Sequence, residues 1–317
     1  MYYLPRRVEI REEGPREGFQ IEQPGFSLAD RAALVEALAA AGLRHIQVAS
    51  FGNSDTVPQM TDADALFAAI HKQPGVKYTS LWLNEKGFEQ ALRVPQVDLT
   101  GTLYFYASDA FSRLNSGVPA IQNASRQADW IKRYHAHGIE VDTAYIMTAF
   151  GCQLEGEISH HRLTQTVRQI RRITSDGGVQ LKCLYLADTV GWANPVIIRQ
   201  YIALVRELVP GVRVGLHLRD TRGIGMANAL AALQNGVDLF DASVAGLGGC
   251  PFNNHAHGGA SGNICTEDLV FMCHEMGIET GVDLERLIEA ARLAERTIGR
   301  RLDGRLMHSG SLSTFRE

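Results

Sequence analysis

The chain has 317 residues, of which 45% are hydrophobic and 21% charged, as is typical of a globular protein with a large core. Its formal net charge of −4 comes without a basic block, so the sequence predicts neither a nucleic-acid partner nor attachment to an anionic membrane. We find no long apolar run and no signal-peptide pattern at the start, and therefore expect a cytoplasmic protein.

Short β-rich stretches alternate with amphipathic helical stretches along the chain. In the first long helical stretch, Leu34, Val35 and Leu38 fall on one apolar face. The candidate strands are residues 8–13, 45–51, 77–83, 97–105, 139–147, 179–188, 212–220 and 239–248. Eight such units predict an α/β fold, a (β/α)8 TIM barrel over residues 1–283, with a C-terminal helix and tail over 284–317.

Polar residues are concentrated where the predicted strands end, which is where a barrel builds its active site. The stretches are Glu13–Gln20, Gln47 with Ser50, Asp188 with Thr189, His217 to Gly223, and the glycine-rich stretches from Gly246 to Asn263. Each has an ordinary explanation as well: Asp188 as a helix cap, the glycines as turns, and His217 as a structural histidine. Their convergence on one end of the barrel favours a catalytic site.

Four stretches of the sequence resemble the hydroxymethylglutaryl-CoA (HMG-CoA) lyase family, part of the metal-dependent DRE-TIM metallolyase superfamily. They are EEGPREGFQ (12–20), SFGNSDTVPQM (50–60), DTVGWANP (188–195), and DTRGIGMANALAALQNGVDLFDASVAGLGGCPF (220–252), which is followed by GASGNICTEDLV (259–270). The resemblance runs from Val8 to about Asp283. It implies a carbon–carbon lyase that cleaves a 3-hydroxyacyl-CoA by a retro-Claisen reaction through an enolate.

The resemblance also implies roles for individual residues. Arg16 would stabilise the enolate oxygen, Asp188 and His217 would handle the hydroxyl proton, and Cys250 would exchange a proton at the enolate carbon. The metal ligands would be Glu17, His217 and Asn263, holding Mg²⁺ or Mn²⁺. Gln20, Gln47 and Ser50 are assigned to substrate binding.

The metal-ligand pattern of the family is altered in this chain. Glu17 stands where the family has Asp, and Gln47 stands where it has Glu. More seriously, Arg219 replaces the second histidine of a His-x-His pair. A guanidinium stays protonated and has no lone pair for a metal. A loop longer than the family's follows Cys250 and contains His255 and His257, which are either replacement ligands or ordinary loop histidines.

Three interpretations of the altered site remain open. In the first, Arg219 pairs with Glu17 and supplies the positive charge itself, so that catalysis is independent of metal. In the second, a cation still binds through Glu17, His217 and Asn263, and Arg219 binds a substrate carboxylate. In the third, the barrel has lost cleavage activity.

Two alternative functions for this protein lie outside the acyl-CoA lyases. The same enolate chemistry would serve an aldolase or a Claisen-type synthase acting on an oxo acid without CoA. A catalytically silent binding barrel is the alternative from another class. The predicted partners are a small-molecule substrate, most simply an acyl-CoA, and a second copy of the chain, because homodimers are usual in the family that the sequence resembles.

Overall fold

The structure is a computed structural model, and it describes residues 4–22, 25–52, 60–249 and 262–316. Strands and helices alternate along these residues, as the sequence pattern predicts. The strands are β1 Glu9–Glu12, β2 His45–Phe51, β3 Lys77–Trp82, β4 Gly101–Tyr106, β5 Val141–Met147, β6 Cys183–Asp188, β7 Arg213–Leu218 and β8 Leu239–Ala242.

The helices follow the strands and in places come in pairs. They are α1 Gly14–Ile21, α2 Leu28–Ala40, α3 Ala63–Ala69, α4 Glu85–Leu92, α5 Asp109–Ser116, α6 Ala120–Ala136, α7 His160–Asp176, α8 Pro195–Leu208, α9 Gly225–Leu233, α10 Thr266–Glu275, α11 Leu284–Ile298 and α12 Leu306–Ser309. A short antiparallel hairpin, Gly151–Cys152 with Gly156–Glu157, follows β5. Among the helices described, none has the length and apolar composition needed to cross a lipid bilayer.

The chain divides into two compact units. The central unit contains residues 1–5 and 100–240, and the terminal unit contains residues 6–99 and 241–317. In the central unit, β4, β5, β6 and β7 pair in that order as parallel neighbours. In the terminal unit, β1 pairs with β2 and β2 with β3, again in parallel.

The strand β6 of the central unit is buried on both faces, as expected where helices cover one face and packed side chains fill the other. All six residues of β6 are buried, and in β2 the apolar Ile46 and Val48 are fully buried. In the terminal unit, α2 contributes Leu34, Val35 and Leu38 to the core, the residues predicted from their helical spacing.

Three predicted strand boundaries are wrong by four residues or more. β6 begins at Cys183 and not at 179, because Val179 N donates to Thr174 O at 2.8 Å in the turn after α7. β8 ends at Ala242 and not at 248, because Val244–Gly246 forms a 3-10 turn in which Ala245 has φ 56° and Gly246 φ 69°. Such positive φ values cannot continue an extended strand. β4 begins at Gly101 and not at 97, because the backbone around Val97 is used in a turn, with Val97 N donating to Val94 O at 3.1 Å.

The C-terminal helix is present as α11, and it starts where the sequence predicts. The Asp283 carboxylate caps it by accepting from Arg286 N at 3.1 Å. Leu287, Ile288 and Ala291 form its buried face. The following segment, predicted as a tail, contains the short helix α12.

Candidate active site

A β-bulge in β2 sets the direction of two predicted substrate-binding residues. The pairing of β2 with β3 shifts register between Gln47 and Ala49. In a regular strand, residues 47 and 50 would point to opposite faces. The inserted residue restores Ser50 to the face of Gln47, and both are half-buried while Ile46 and Val48 are fully buried on the other face.

Arg16 is held in the terminal unit by three side chains. It lies in the first turn of α1, directly after β1. Its Nε donates to Gln47 Oε1, its Nη2 to Glu13 Oε2 at 2.6 Å, and its Nη1 lies 3.1 Å from Glu17 Oε1. All three nitrogens of the guanidinium therefore have partners, two of which are carboxylates.

Glu17 and Asn263 contact each other although 246 positions separate them in the sequence. Asn263 Nδ2 donates to Glu17 Oε2 at 2.8 Å and to Ser243 Oγ at 2.7 Å. Gly248, with φ +112°, brings the chain after β8 against this pair. A Cβ at that position would lie 3.0 Å from Glu17 Oε2 and 3.1 Å from Asn263 Nδ2. A side chain at Gly248 would therefore crowd the pair.

Two buried carboxyls that the sequence analysis missed, those of Glu12 and Glu267, accept hydrogen bonds from the backbone near the Glu17–Asn263 pair. Glu12 accepts from Gly14 N and Val244 N, both at 2.8 Å, and from Thr266 Oγ1 at 2.6 Å. Glu267 accepts from Ala245 N at 3.0 Å. Burial raises the pKa of Glu12 to about 7 and that of Glu267 to about 8. The Glu12–Glu13 doublet before Gly-Pro was a visible signal, since acidic residues are unusual at a strand's buried end.

Asp188 ends β6 in the central unit and has a perturbed carboxyl. Its two oxygens accept from Trp192 N at 2.7 Å and Ala193 N at 3.1 Å, so it also closes the turn that follows. Burial raises the pKa of Asp188 to about 6, although these backbone hydrogen bonds and the charges of Arg219 and His217 oppose the shift. A carboxyl that changes charge near neutral pH is suited to general acid–base catalysis.

His217 and Arg219 lie at the end of the neighbouring strand β7. His217 pairs in register with Ala187, the residue before Asp188. Both side chains are buried, and the charges of both lower the pKa of Asp188, so the three groups interact electrostatically. The central unit thus brings together the predicted proton-handling residues and the arginine that replaces a family histidine.

The structure describes only some of the other predicted site residues. Gln20 lies near the end of α1, and its Oε1 is a buried atom without a hydrogen-bond partner among the described residues. Such an atom suits a ligand donor. Cys250, His255 and His257 lie outside the described residues, so their predicted roles are untested.

The described residues do not fit the divalent cation that the family resemblance implied. Within the described ranges, no group of three or more His, Cys, Asp or Glu side chains could hold a metal ion. The Glu17 carboxylate receives a guanidinium on one oxygen and an amide nitrogen on the other. Beside His217, the fixed positive charge of Arg219 opposes a second cation. The assignment of Glu17, His217 and Asn263 as ligands stays a prediction.

Comparisons with known proteins agree with the sequence pattern. The family model described as HMGL-like matches residues 7–294. The mitochondrial hydroxymethylglutaryl-CoA lyase of Homo sapiens is 36% identical over 303 residues, which cover 96% of this chain and 89% of the relative. The 3-hydroxy-3-isohexenylglutaryl-CoA/hydroxymethylglutaryl-CoA lyase of Pseudomonas aeruginosa is 35% identical over 291 residues, covering 91% and 92%.

Solved structures show the same relationship. The crystal structure of hydroxymethylglutaryl-CoA lyase from P. aeruginosa superposes with a TM-score of 0.86 at 34% identity, covering 96% of this chain and 98% of that one. An HMG-CoA lyase from A. baumannii, in complex with coenzyme A and 3-methylmalate, gives a TM-score of 0.85 at 31% identity, covering 99% and 98%.

These similarities confirm the predicted fold class, a (β/α)8 barrel with a C-terminal helical extension, and they identify a carbon–carbon lyase. The chain belongs to the HMGL-like family.

Proposed function

We propose that this protein cleaves a 3-hydroxyacyl-CoA between C2 and C3. The relatives whose names give a substrate act on hydroxymethylglutaryl-CoA or its isohexenyl analogue, and one was crystallised with coenzyme A. The observation that carries the proposal is the group at the ends of β6 and β7. There, a carboxyl with a pKa of about 6 interacts with the charges of an imidazole and a guanidinium.

In the proposed reaction, the ionised Asp188 carboxylate accepts the proton of the 3-hydroxyl group as the C2–C3 bond breaks, and His217 assists this transfer. C3 becomes a carbonyl carbon, and the electron pair of the broken bond moves to C2 and into the thioester as an enolate. Arg16 stabilises the negative charge that develops on the thioester oxygen. Cys250 then returns a proton to C2, which releases the shortened acyl-CoA.

Catalytic groups of a (β/α)8 barrel come from the ends of several different strands. Gln20, Gln47 and Ser50 are proposed to bind the substrate. The buried Oε1 of Gln20 and the shared face of Gln47 and Ser50 support this assignment.

We further propose that the reaction does not require a metal, and that Arg219 supplies positive charge for a substrate oxygen. The support is chemical. A guanidinium cannot be a metal ligand, and the Glu17 carboxylate already has cationic and amide partners. The alternative is that Mg²⁺ or Mn²⁺ binds through Glu17, His217 and Asn263. The two proposals make opposite predictions for the effect of a chelator on lyase activity.

The test measures bound metal and lyase activity with and without a chelator, for the wild type and Arg219→His. Product acyl-CoA is followed by mass spectrometry on a panel of 3-hydroxyacyl-CoAs and of free hydroxy acids. We expect wild-type activity to survive chelation and Arg219→His to lose most of it, on the order of 10²-fold in kcat. Arg213→His, the same change at the other end of β7, serves as the control.

Other outcomes would replace the proposal. Loss of wild-type activity on chelation, with rescue by Mg²⁺ or Mn²⁺, would establish the metal-dependent alternative. Turnover of free hydroxy or oxo acids alone would identify an aldolase or synthase, and no turnover across the panel would leave a binding barrel. The cytoplasmic location and the homodimer also stay predictions, which fractionation and light scattering of the purified protein would test.

A further inference from the structure

Three side chains of the described residues fix the orientation of the Arg16 guanidinium. Nε, Nη1 and Nη2 contact Gln47, Glu17 and Glu13 respectively, so each nitrogen meets a different side chain. A guanidinium is planar and rigid, and contacts on all three nitrogens prevent both rotation about its bonds and rotation of its plane. A side chain held in this way is preorganised.

Glu13 makes the shorter of the two contacts with a carboxylate. Its Oε2 lies 2.6 Å from Nη2, whereas Glu17 Oε1 lies 3.1 Å from Nη1. The Glu13 side chain is only 4% exposed and that of Arg16 only 11%. A buried carboxylate is costly without a cation, and a charge-assisted hydrogen bond of this length offsets that cost. Removing either partner would therefore leave the other charge buried without its counter-ion, which is costly.

The backbone of Glu13 is fixed as well. Its N–H donates to Ala242 O at 2.9 Å, at the end of β8, and its carbonyl accepts from Glu17 N at 2.8 Å in the first turn of α1. Glu13 thus presents its carboxylate from a rigid position. Because the side chains of Glu13 and Glu17 contact different arms of the guanidinium, the position of Arg16 depends on the balance between them.

From this geometry we infer that Glu13 is a positioning residue for the lyase reaction. It holds Arg16 away from complete pairing with Glu17, so that the guanidinium stays in the orientation that stabilises an enolate oxygen. The inference rests on the proposed role of Arg16. Without the Glu13 carboxylate, Glu17 would be the only anion among these three partners, and Arg16 would move towards it. Donors to an oxyanion lose much of their effect when displaced by about 1 Å.

The test compares Glu13→Gln and Glu13→Ala with Glu9→Gln. Glu9 is the matched control, because it is also a glutamate of the β1 segment but is exposed. We expect kcat of Glu13→Ala to fall on the order of 10²-fold with little change in KM, since the substrate still binds but its transition state is less stabilised. Glu13→Gln keeps an acceptor oxygen without the charge, and its kcat should lie between those of Glu13→Ala and the wild type.

A second readout does not depend on activity. Nitrogen-15 NMR of the arginine side chains reports rotation about the Nε–Cζ bond, which exchanges Nη1 with Nη2 and which we expect to be slow for Arg16 in the wild type and faster in Glu13→Ala. Equal rotation rates, or a kcat of Glu13→Ala equal to that of Glu9→Gln, would overturn the inference. A wild type with slow rotation but no turnover would instead contradict the proposed function. Should Glu13→Ala fail to fold, Glu13→Gln carries both measurements.

Discussion

The family resemblance implies a histidine at position 219, and the arginine that stands there changes what the end of β7 can do. A neutral imidazole offers a lone pair, whereas a guanidinium offers only donors and a permanent charge. Burial raises the pKa of Asp188 to about 6, against the opposing effects of Arg219 and His217. The chemistry of this strand end is therefore set by a balance between the desolvation of Asp188 and the positive charge of Arg219 beside it.

The raised pKa of Asp188 predicts opposite pH trends for activity and stability. The ionised carboxylate is the proposed base, so kcat/KM should rise as the pH increases through about 6. The protonated form is the one favoured by burial. The contribution of Asp188 to the free energy of unfolding should therefore fall as the pH rises from the ordinary value of 3.8 to about 6.

Asp188→Asn tests both trends. We expect kcat to fall by roughly 10²- to 10⁴-fold and the rising limb near pH 6 to disappear. Asp142→Asn, on the neighbouring strand β5, removes a carboxyl that pairs with Lys182 at 3.5 Å and should leave the limb in place. A limb that is unchanged in Asp188→Asn would assign the titration to another group.

At the scale of elements, the turn after β8 determines how close the backbone comes to the Glu17–Asn263 pair. Ala245 and Gly246 have positive φ, and Glu12 and Glu267 hold the N–H groups of Val244 and Ala245. The strand β1, which ends at Glu12, and the helix α10, which contains Glu267, thus hold this turn in place. Gly248, which has no side chain, then lies against Glu17.

Gly248→Ala should reduce both stability and activity. The added Cβ would meet Glu17 Oε2 at 3.0 Å, in a backbone conformation that L residues avoid. We expect a fall of several-fold or more in kcat/KM and a loss of about 1–2 kcal/mol of stability, measured by steady-state kinetics and urea unfolding.

Gly277→Ala separates the two causes. Gly277 also has positive φ, at 72°, but a Cβ there would meet nothing within 4 Å. Its variant should therefore lose stability through backbone strain alone and keep full activity. If Gly248→Ala behaves in the same way, its Cβ does not disturb the Glu17–Asn263 pair.

At the scale of the whole molecule, α11 is part of the core of the terminal unit. Leu287 is completely buried, together with Ile288 and Ala291. Leu287→Ala should cost about 2–5 kcal/mol of unfolding free energy, because it removes buried methyl groups and leaves a cavity. Urea denaturation gives the value. Leu312→Ala, at a side chain that is 37% exposed, should cost less than about 0.5 kcal/mol. Equal effects would show that the burial of Leu287 does not stabilise the terminal unit.

The sequence alone determined the number and order of the eight barrel strands, the (β/α)8 fold and the family, because hydrophobic periodicity and strand-end motifs are local patterns. It did not predict the short hairpin after β5. It also singled out Asp188, His217 and Arg219, since alternation along a strand fixes which residues share a face. Their chemical roles remain predictions.

Only the tertiary structure revealed the bulge that aligns Gln47 with Ser50, the contact of Glu13 with Arg16, and the raised pKa values of Glu12 and Glu267. A bulge depends on the register of a neighbouring strand, and a pKa depends on burial by distant elements. The Glu17–Asn263 hydrogen bond spans 246 positions, and no local pattern encodes such a contact. It exists because folding brings the residues after β1 and those before α10 together.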